Sequence, residues 1–483
     1  MTLKIIILAA YALIIIFIGM AGLRKARTFS DYFLGGGKVG AVMTAFTYGA
    51  AYFSAVMFIG FAGKVGWSFG LSGLWIALGN TLIGVLAVWW LLGPRIKRMS
   101  VDYGVQTIGE FFEKRYDSPF LKLYSSICIF VFFIPYTAAV FMGLSYLFRS
   151  TFGIDYTVAL LLMGGFTAIY LVMGGYKSMT MIDVVFGIIM LLGVGVLFWS
   201  ILHEGKGMAN IVNGLAAVDP RMVGPVGPPG WWPLFSLVFL TSVAPMAMPH
   251  LIQKFYAIRD TRAIYIGMFG SAAFALVITG IGYFAGVTPR FFLTPENAPL
   301  AFSNGAPIFD ALMPELLTRI IPEALSVLIL LLILSASMST LAALVLISSS
   351  AVAKDFYAGF VNRSVSDAAL TRLMRLLNAA GVLLAVVLAY FRPSTIVTIL
   401  GISWGAIGAA FLGPFLWGLL GKRANRLGAI GSSVIGLAVC LILYATGTDS
   451  PQAGTLGMLA SLILTPIISA VRPASKTTDV SRA

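Results

Sequence analysis

Residues 334–357 read LSASMSTLAALVLISSSAVAKDFY and continue the apolar run 324–333 without a break. Ser335, Ser337, Ser339, Thr340, Ser348, Ser349 and Ser350 therefore stand in a segment apolar enough for lipid. A hydroxyl in hydrocarbon gains nothing unless it bonds something. It can donate to the carbonyl four residues back on its own helix, or its oxygen can help to hold an ion. A small hard cation asks for several oxygens, not sulfur or nitrogen. Asp183 is the other residue with chemistry to offer. It is the one carboxylate inside an apolar run apart from end residues such as Glu323. An intramembrane acid is a functional candidate; the plainer alternative is a charge at the cytoplasmic start of a helix.

The elements that must position these groups follow from composition. The chain has 483 residues, 59% apolar and 10% charged, where a water-soluble protein has about a quarter charged. This is a polytopic, all-α membrane protein whose first partner is the lipid bilayer. Thirteen apolar runs lie near 4–22, 41–63, 70–93, 120–148, 156–174, 180–202, 232–253, 263–286, 322–351, 370–391, 394–420, 425–446 and 452–471. Each can cross about 30 Å of hydrocarbon as a helix of roughly 20 residues. The run at 4–22 is a membrane helix and not a signal peptide, having one preceding Lys and no clear cleavage site.

The net charge of +14 does not point to nucleic acid, because the basic residues lie between apolar runs. With the N-terminus outside, the cytoplasmic segments hold Arg24, Lys25, Arg27, Lys38, Arg95, Lys97, Arg98, Lys114, Arg115, Lys254, Arg259, Arg262, Lys354, Arg363, Arg372, Arg375, Lys422, Arg423, Arg426, Arg472, Lys476 and Arg482. The outside loops hold far fewer. The positive-inside rule then gives an outside N-terminus and a cytoplasmic C-terminus in the cell (inner, plasma) membrane. Cys128 and Cys440 both fall inside apolar runs and form neither a disulfide nor a metal site. The outside loop 203–231 carries GPVGPPGWW, whose Trp231 and Trp232 suit the interface. A short helix near 307–320 is placed to cap the outer mouth, and the last dozen residues are expected to be disordered.

Two runs look interrupted. TYGAAYFSA in the second clusters small residues around Gly49, and SVAPMAMPH in the seventh carries Pro245 and Pro249. Pro frees carbonyls, and freed backbone at membrane depth survives only where it is buried in protein or lines a cavity. Interruptions five spans apart point to an inverted-repeat transporter; taken alone, they are equally explained as packing kinks.

Four stretches, in order, carry a resemblance: DYFLGGGK (31–38), GGYKSMTMID (174–183), ALSVLILLLILSASMSTLAALVLISSSAVAKDFY (324–357) and GKRANRLGAIG (421–431). The chain resembles the sodium:solute symporter family over about 28–431. That resemblance implies thirteen transmembrane helices and a five-plus-five inverted repeat with broken second and seventh spans. The parts would be 1–40, the first helix and inside loop; 41–202, the first repeat; 203–231, an outside loop; 232–420, the second repeat; and 421–483, the last two helices and tail. It implies a sodium ion (Na+) held by backbone oxygens of Ala50, Phe53 and Ala336 and the hydroxyls of Ser339 and Thr340, with Asp183 as nearby charge. The spacing agrees: 336, 339 and 340 are i, i+3 and i+4 and share one helix face. The bland alternative stays open, with both hydroxyls bonded to their own helix. Ser348, Ser349 and Ser350 lie two turns or more further on, where they line the inner exit or pack small. Two-sodium relatives carry extra hydroxyls one turn on; here those positions are Ala342 and Ala343, so one sodium per cycle is expected.

The resemblance also maps substrate positions onto Tyr52, Ser54 and Met57, Tyr136, Thr241, Pro245 and Met248, and Trp404, which would close the pocket from outside. For each aromatic and Met, plain core packing is the competing reading. The set is apolar with hydroxyls and no Arg or Lys. A sugar needs more buried partners than this, and the proline carriers' aromatic positions on the seventh span are here Thr241 and Pro245. The expected cargo is a small organic solute with a carboxylate: a monocarboxylate, an amino acid or a pantothenate-like acid. The expected functional unit is the monomer. Rival readings are a proton-coupled carrier using Asp183 or His250, or a membrane sensor with a separate partner. An enzyme is excluded for want of a nucleophile–base pair, metal cluster or phosphate loop.

Overall fold

The computed structural model describes residues 2–23, 28–173, 175–421 and 423–471. The basic residues Arg24, Lys25, Arg27, Lys422, Arg472, Lys476 and Arg482, the first residue of the GGYKSMTMID stretch and the tail expected to be disordered lie outside them.

The described chain is almost wholly helical. In order it forms α1 (Thr2–Leu23), α2 (Phe29–Leu34), α3 (Ala41–Tyr52), α4 (56–69), α5 (74–102), α6 (Ile108–Tyr116), α7 (Pro119–Phe152), α8 (Tyr156–Met173), α9 (Tyr176–Glu204) and α10 (Met208–Val218). There follow α11 (Trp231–Val243), α12 (Pro249–Ala257), α13 (Thr261–Val287), α14 (Phe309–Ile320), α15 (Ser326–Ser350), α16 (Asp367–Phe391), α17 (Ile396–Leu420), α18 (Arg426–Ala445) and α19 (Ser450–Val471). The β-structure among the described residues includes a two-residue antiparallel ladder, Phe302–Ser303 on Ala306–Pro307. Nine helical stretches among the described residues are long and apolar enough to cross a membrane, or ten with the bent pair Trp231–Ala247 and Pro249–Ala257 as one.

Local chemistry sets the ends. α7 starts where the Ser118 side chain accepts from the Leu121 N–H with Pro119 at the first helical position, and it stops at Gly153 in the left-handed region. α4 and α5 are separated at Gly70, whose φ of 64° and ψ of −143° suit only glycine. The outside loop expected to be stiff also contains α10, whose buried Ile211 and Leu215 lie four residues apart on one face.

Burial tells which helices form the centre. The apolar windows of α15 and α17 are 83% and 89% buried, against 33% for α16 and α18. A helix with lipid along one face cannot be that enclosed, so α15 and α17 run through the middle of the molecule. Close packing there uses small residues. The backbones of α4 and α13 touch: a Cβ on Gly66 would overlap the main chain of Gly286, and one on Gly286 that of Ala62.

Candidate functional site

α3 ends where the sequence predicts a break. Phe53 is extended (φ −109°, ψ 97°), and its N–H closes on the Gly49 carbonyl. The carbonyls just before a helix end lack an intrahelical donor. Those of Ala50 and Ala51 turn to α15: the Thr340 hydroxyl lies 3.3 Å from the Ala50 oxygen and 3.2 Å from the Ala51 oxygen. It is also 3.1 Å from the carbonyl of Ala336 on its own helix. One hydroxyl has one hydrogen, so at most one of these three oxygens receives it fully. One residue back, the Ser339 hydroxyl is fully buried and has no hydrogen-bond partner. The spot thus gathers five oxygens around two hydroxyl hydrogens, a surplus of acceptors that suits a cation.

The bland reading holds for some of the hydroxyls. Ser337 donates to Ile333 at 2.6 Å and Ser350 to Ile347 at 2.9 Å, both on their own helix. Ser335 meets the Tyr11 hydroxyl at 3.2 Å instead. Ala51, whose carbonyl joins Ala50 at the Thr340 hydroxyl, carries no signal of its own in the sequence. The position of the break is legible in composition; which carbonyls it turns toward α15 is not. Phe53 belongs to the wall of the neighbouring cavity.

Asp183 sits two turns inside α9 and is fully buried, not at the helix start. Neither of its carboxylate oxygens has a hydrogen-bond partner. The groups acting on it are the Lys254 ammonium and the Ser339 and Thr47 hydroxyls. Lys254, expected among the cytoplasmic loop charges, is fully buried on α12. Its Nζ lies 5.0 Å from the centre of the Tyr176 ring. His250 is buried too, edge-on to Phe133 at 5.4 Å and Tyr136 at 6.0 Å.

Beside the break lies a narrow cavity. Of the expected substrate residues its wall includes Tyr52, Ser54, Met57, Tyr136, Thr241 and Trp404. Pro245 and Met248 are buried at the break between α11 and α12 but do not line it. The wall also has Asn80 and Tyr283, from helices that sequence spacing could not bring to this point. Tyr52 stacks on Trp404 (5.9 Å between ring centres, 27° between planes), and Tyr136 meets Trp404 edge-on at 5.9 Å. The Tyr52 hydroxyl donates to the Thr241 carbonyl at 2.6 Å, and Thr241 donates to its own helix at Leu237. Those two hydrogens are spent. The Trp404 indole N–H is not: it has no hydrogen-bond partner and lies beside the Tyr136 hydroxyl. Asn80 adds an amide, its oxygen accepting from Ser242 at 3.2 Å. The cavity is therefore an aromatic box with a few convergent polar groups and no cationic side chain on its wall.

Comparison with known proteins bears on what such a box does. The profile of the sodium:solute symporter family matches residues 32–436. The osmoregulated proline transporter OpuE of Bacillus subtilis (strain 168) is 31% identical, the match covering 97% of this chain and 94% of that one. The sodium/pantothenate symporter of Escherichia coli (strain K12) is 28% identical over 92% of this chain and 91% of that one. Among solved structures, a Na+-coupled sialic acid symporter superposes with a TM-score of 0.83 at 19% identity, covering 98% of this chain and 99% of that one. The chain belongs to the sodium:solute symporter family, and it is a transporter, not an enzyme.

Proposed function

We propose that the protein couples the inward movement of one sodium ion to that of a small carboxylate by alternating access. The observation that carries this reading is the Thr340 hydroxyl ringed by the carbonyls of Ala336, Ala50 and Ala51, next to the unpartnered Ser339 hydroxyl. Ala50, Ala336, Ser339 and Thr340, with Phe53 at the break, hold the ion. One ion suffices because Ala342 and Ala343 offer methyls where a second ion would need hydroxyls, and Asp183 already faces the Lys254 ammonium.

The solute lies in the aromatic cavity, against Tyr52, Ser54, Met57, Tyr136, Thr241 and Trp404, with Pro245 and Met248 shaping the break behind it. The Trp404 N–H and the Tyr136 hydroxyl donate to its carboxylate. The sodium in the adjoining site balances the negative charge that the cavity's own side chains leave uncompensated. Each ligand then favours binding of the other, and this reciprocity is the coupling. The relatives' names support the class: proline, pantothenate and sialic acid each carry one carboxylate.

The wider frame is thirteen spans, an outside N-terminus and a cytoplasmic C-terminus. Residues 41–202 and 232–420 form two inverted halves, and the monomer is the working unit. A thermal-shift screen of the purified protein against small acids, amino acids and sugars tests the reading. A ligand bound only by the native state raises its stability, by about 2.7 kcal/mol at a hundred times its Kd. A carboxylate should raise the melting temperature in sodium and much less in choline. A shift from sugars alone, or one equal in both salts, would overturn the proposal.

A further inference from the structure

A second, smaller cavity lies further along α15, toward the end that the proposed orientation puts at the cytoplasm. Its wall includes Thr107, Pro249, Gln253, Tyr256, Ser350 and Asp355. Ser350 stands ten residues beyond Thr340, about 15 Å along the helix axis. Pro249 opens α12 just past the break in the seventh span. The cavity is thus next in line after the ion site on the way in.

Hydrogen-bond accounting at this cavity leaves oxygens over. Asp355 accepts from the Thr107 hydroxyl at 2.6 Å through one oxygen; its other oxygen is buried without a partner. The Gln253 amide nitrogen donates to the Phe33 carbonyl at 2.8 Å, and its amide oxygen has no partner. That orientation is forced, since a carbonyl can only accept. The Tyr256 hydroxyl is also unpartnered. Ser350 spends its hydrogen on Ile347, which leaves its oxygen lone pairs free. All four side chains are at least nine-tenths buried: Asp355 is 1% exposed, Gln253 1%, Tyr256 4% and Ser350 2%. Buried polar groups of a native protein are satisfied by something.

Charge says what that something is. Asp355 is acted on by Glu110, Lys122 and Lys354. Lys122 is committed to Glu113 at 2.7 Å, and Lys354 lies 3.7 Å from Glu110 and over the Phe29 ring. Each of these two ammoniums is thus held by a glutamate, and Asp355 has no cation committed to it. A carboxylate, an amide oxygen and two hydroxyl oxygens form an all-oxygen set of the kind a hard monovalent cation takes. We propose that Asp355, Gln253, Tyr256 and Ser350 form a transit site that holds the sodium ion after it leaves Ser339 and Thr340 and before it reaches the cytoplasm. This rests on sodium being the coupling ion. The same ion occupies both places in turn, so the number moved per cycle stays at one.

Equilibrium binding of radioactive sodium to the purified full-length protein tests the proposal. The wild type should show two classes of sodium site, the transit class weaker. Thr340→Ala should lose the tighter class and keep the weaker. Asp355→Asn should weaken only the weaker class, by roughly 10- to 100-fold, the worth of a charged partner. Tyr256→Phe removes one hydroxyl that bonds nothing in the protein, so it tests the site even if the Asp355 variant folds poorly. It should weaken the same class by several-fold, to about tenfold. A single class in the wild type that vanishes in Thr340→Ala would overturn the transit site and leave sodium coupling intact. So would a second class untouched by both cytoplasmic-side variants. No sodium binding by the wild type at all would instead overturn the coupling reading, and the transit site with it.

Discussion

At the residue scale, the Thr340 hydroxyl has two possible jobs, and substitution separates them. If it only bonds the Ala336 carbonyl 3.1 Å away, its loss leaves sodium activation alone. If its oxygen ligates the ion, Thr340→Ala and Ser339→Ala should each raise the sodium concentration for half-maximal activation by roughly tenfold or more, while Thr340→Ser stays near wild type. Sodium titration of solute-dependent stabilisation measures this, and unchanged activation in both alanine variants would remove the site. The hydroxyls were visible in the sequence because they interrupt an apolar run at helical spacing. Two of the residues around them were not. Ala51 is one of several small residues before the break, and only the direction of its carbonyl distinguishes it. Hydropathy assigns every lysine to water and so puts Lys254 among the loop charges, whereas it is fully buried. Here the side chain has an aromatic face in Tyr176 and a buried counter-charge in Asp183, which are tertiary neighbours that local sequence does not encode.

At the scale of elements, the break in the second span was legible because small residues and Gly49 weaken a helix there. The helix expected near 307–320 is α14, Phe309–Ile320. Its contact with α17 was not legible. Asp310 of α14 is 5% exposed and accepts from the Ile396 N–H at 3.1 Å, so it clasps the first turn of α17. Lys64 is the cation that acts on it and lies 5.8 Å from the Phe309 ring centre. Burial is the largest influence on the Asp310 carboxyl and pushes its pKa up from 3.8 to about 6. A raised carboxyl pKa means that the folded state binds the extra proton between about pH 4 and 6. Stability therefore falls as pH rises through that window and stays lower above it, by up to about 3 kcal/mol. Asp310→Asn keeps an acceptor for the Ile396 N–H without the buried charge. Its melting temperature should match or exceed that of the wild type at pH 8, with the difference gone near pH 4. A variant less stable at pH 8 than at pH 4, relative to wild type, would show that the charge itself holds the clasp.

At the scale of the whole molecule, the bundle sets how much charge crosses the membrane in each cycle. α15 and α17 run through its middle, and the buried charges described near them include Asp183 with Lys254 and, beyond the end of α15, Asp355 among its neighbours. Those groups belong to the protein and return with it, so the net charge moved is that of the ion plus that of the solute. With one sodium the sum is zero for a monoanion and one positive charge for a zwitterion. Each charge is worth about 2.3 kcal/mol per 100 mV of membrane potential. Proteoliposomes on a solid-supported electrode report the difference directly. A monocarboxylate that stabilises the protein in the screen should be carried without steady current and should accumulate independently of potential. A zwitterionic amino acid should give an inward current with one charge per molecule taken up. A second sodium per cycle would add one charge in both cases, so sustained current with a monoanion is the result that defeats the single-ion reading. It would also direct the second ion to Asp183, whose carboxylate oxygens have no hydrogen-bond partner, since the methyls of Ala342 and Ala343 cannot ligate one.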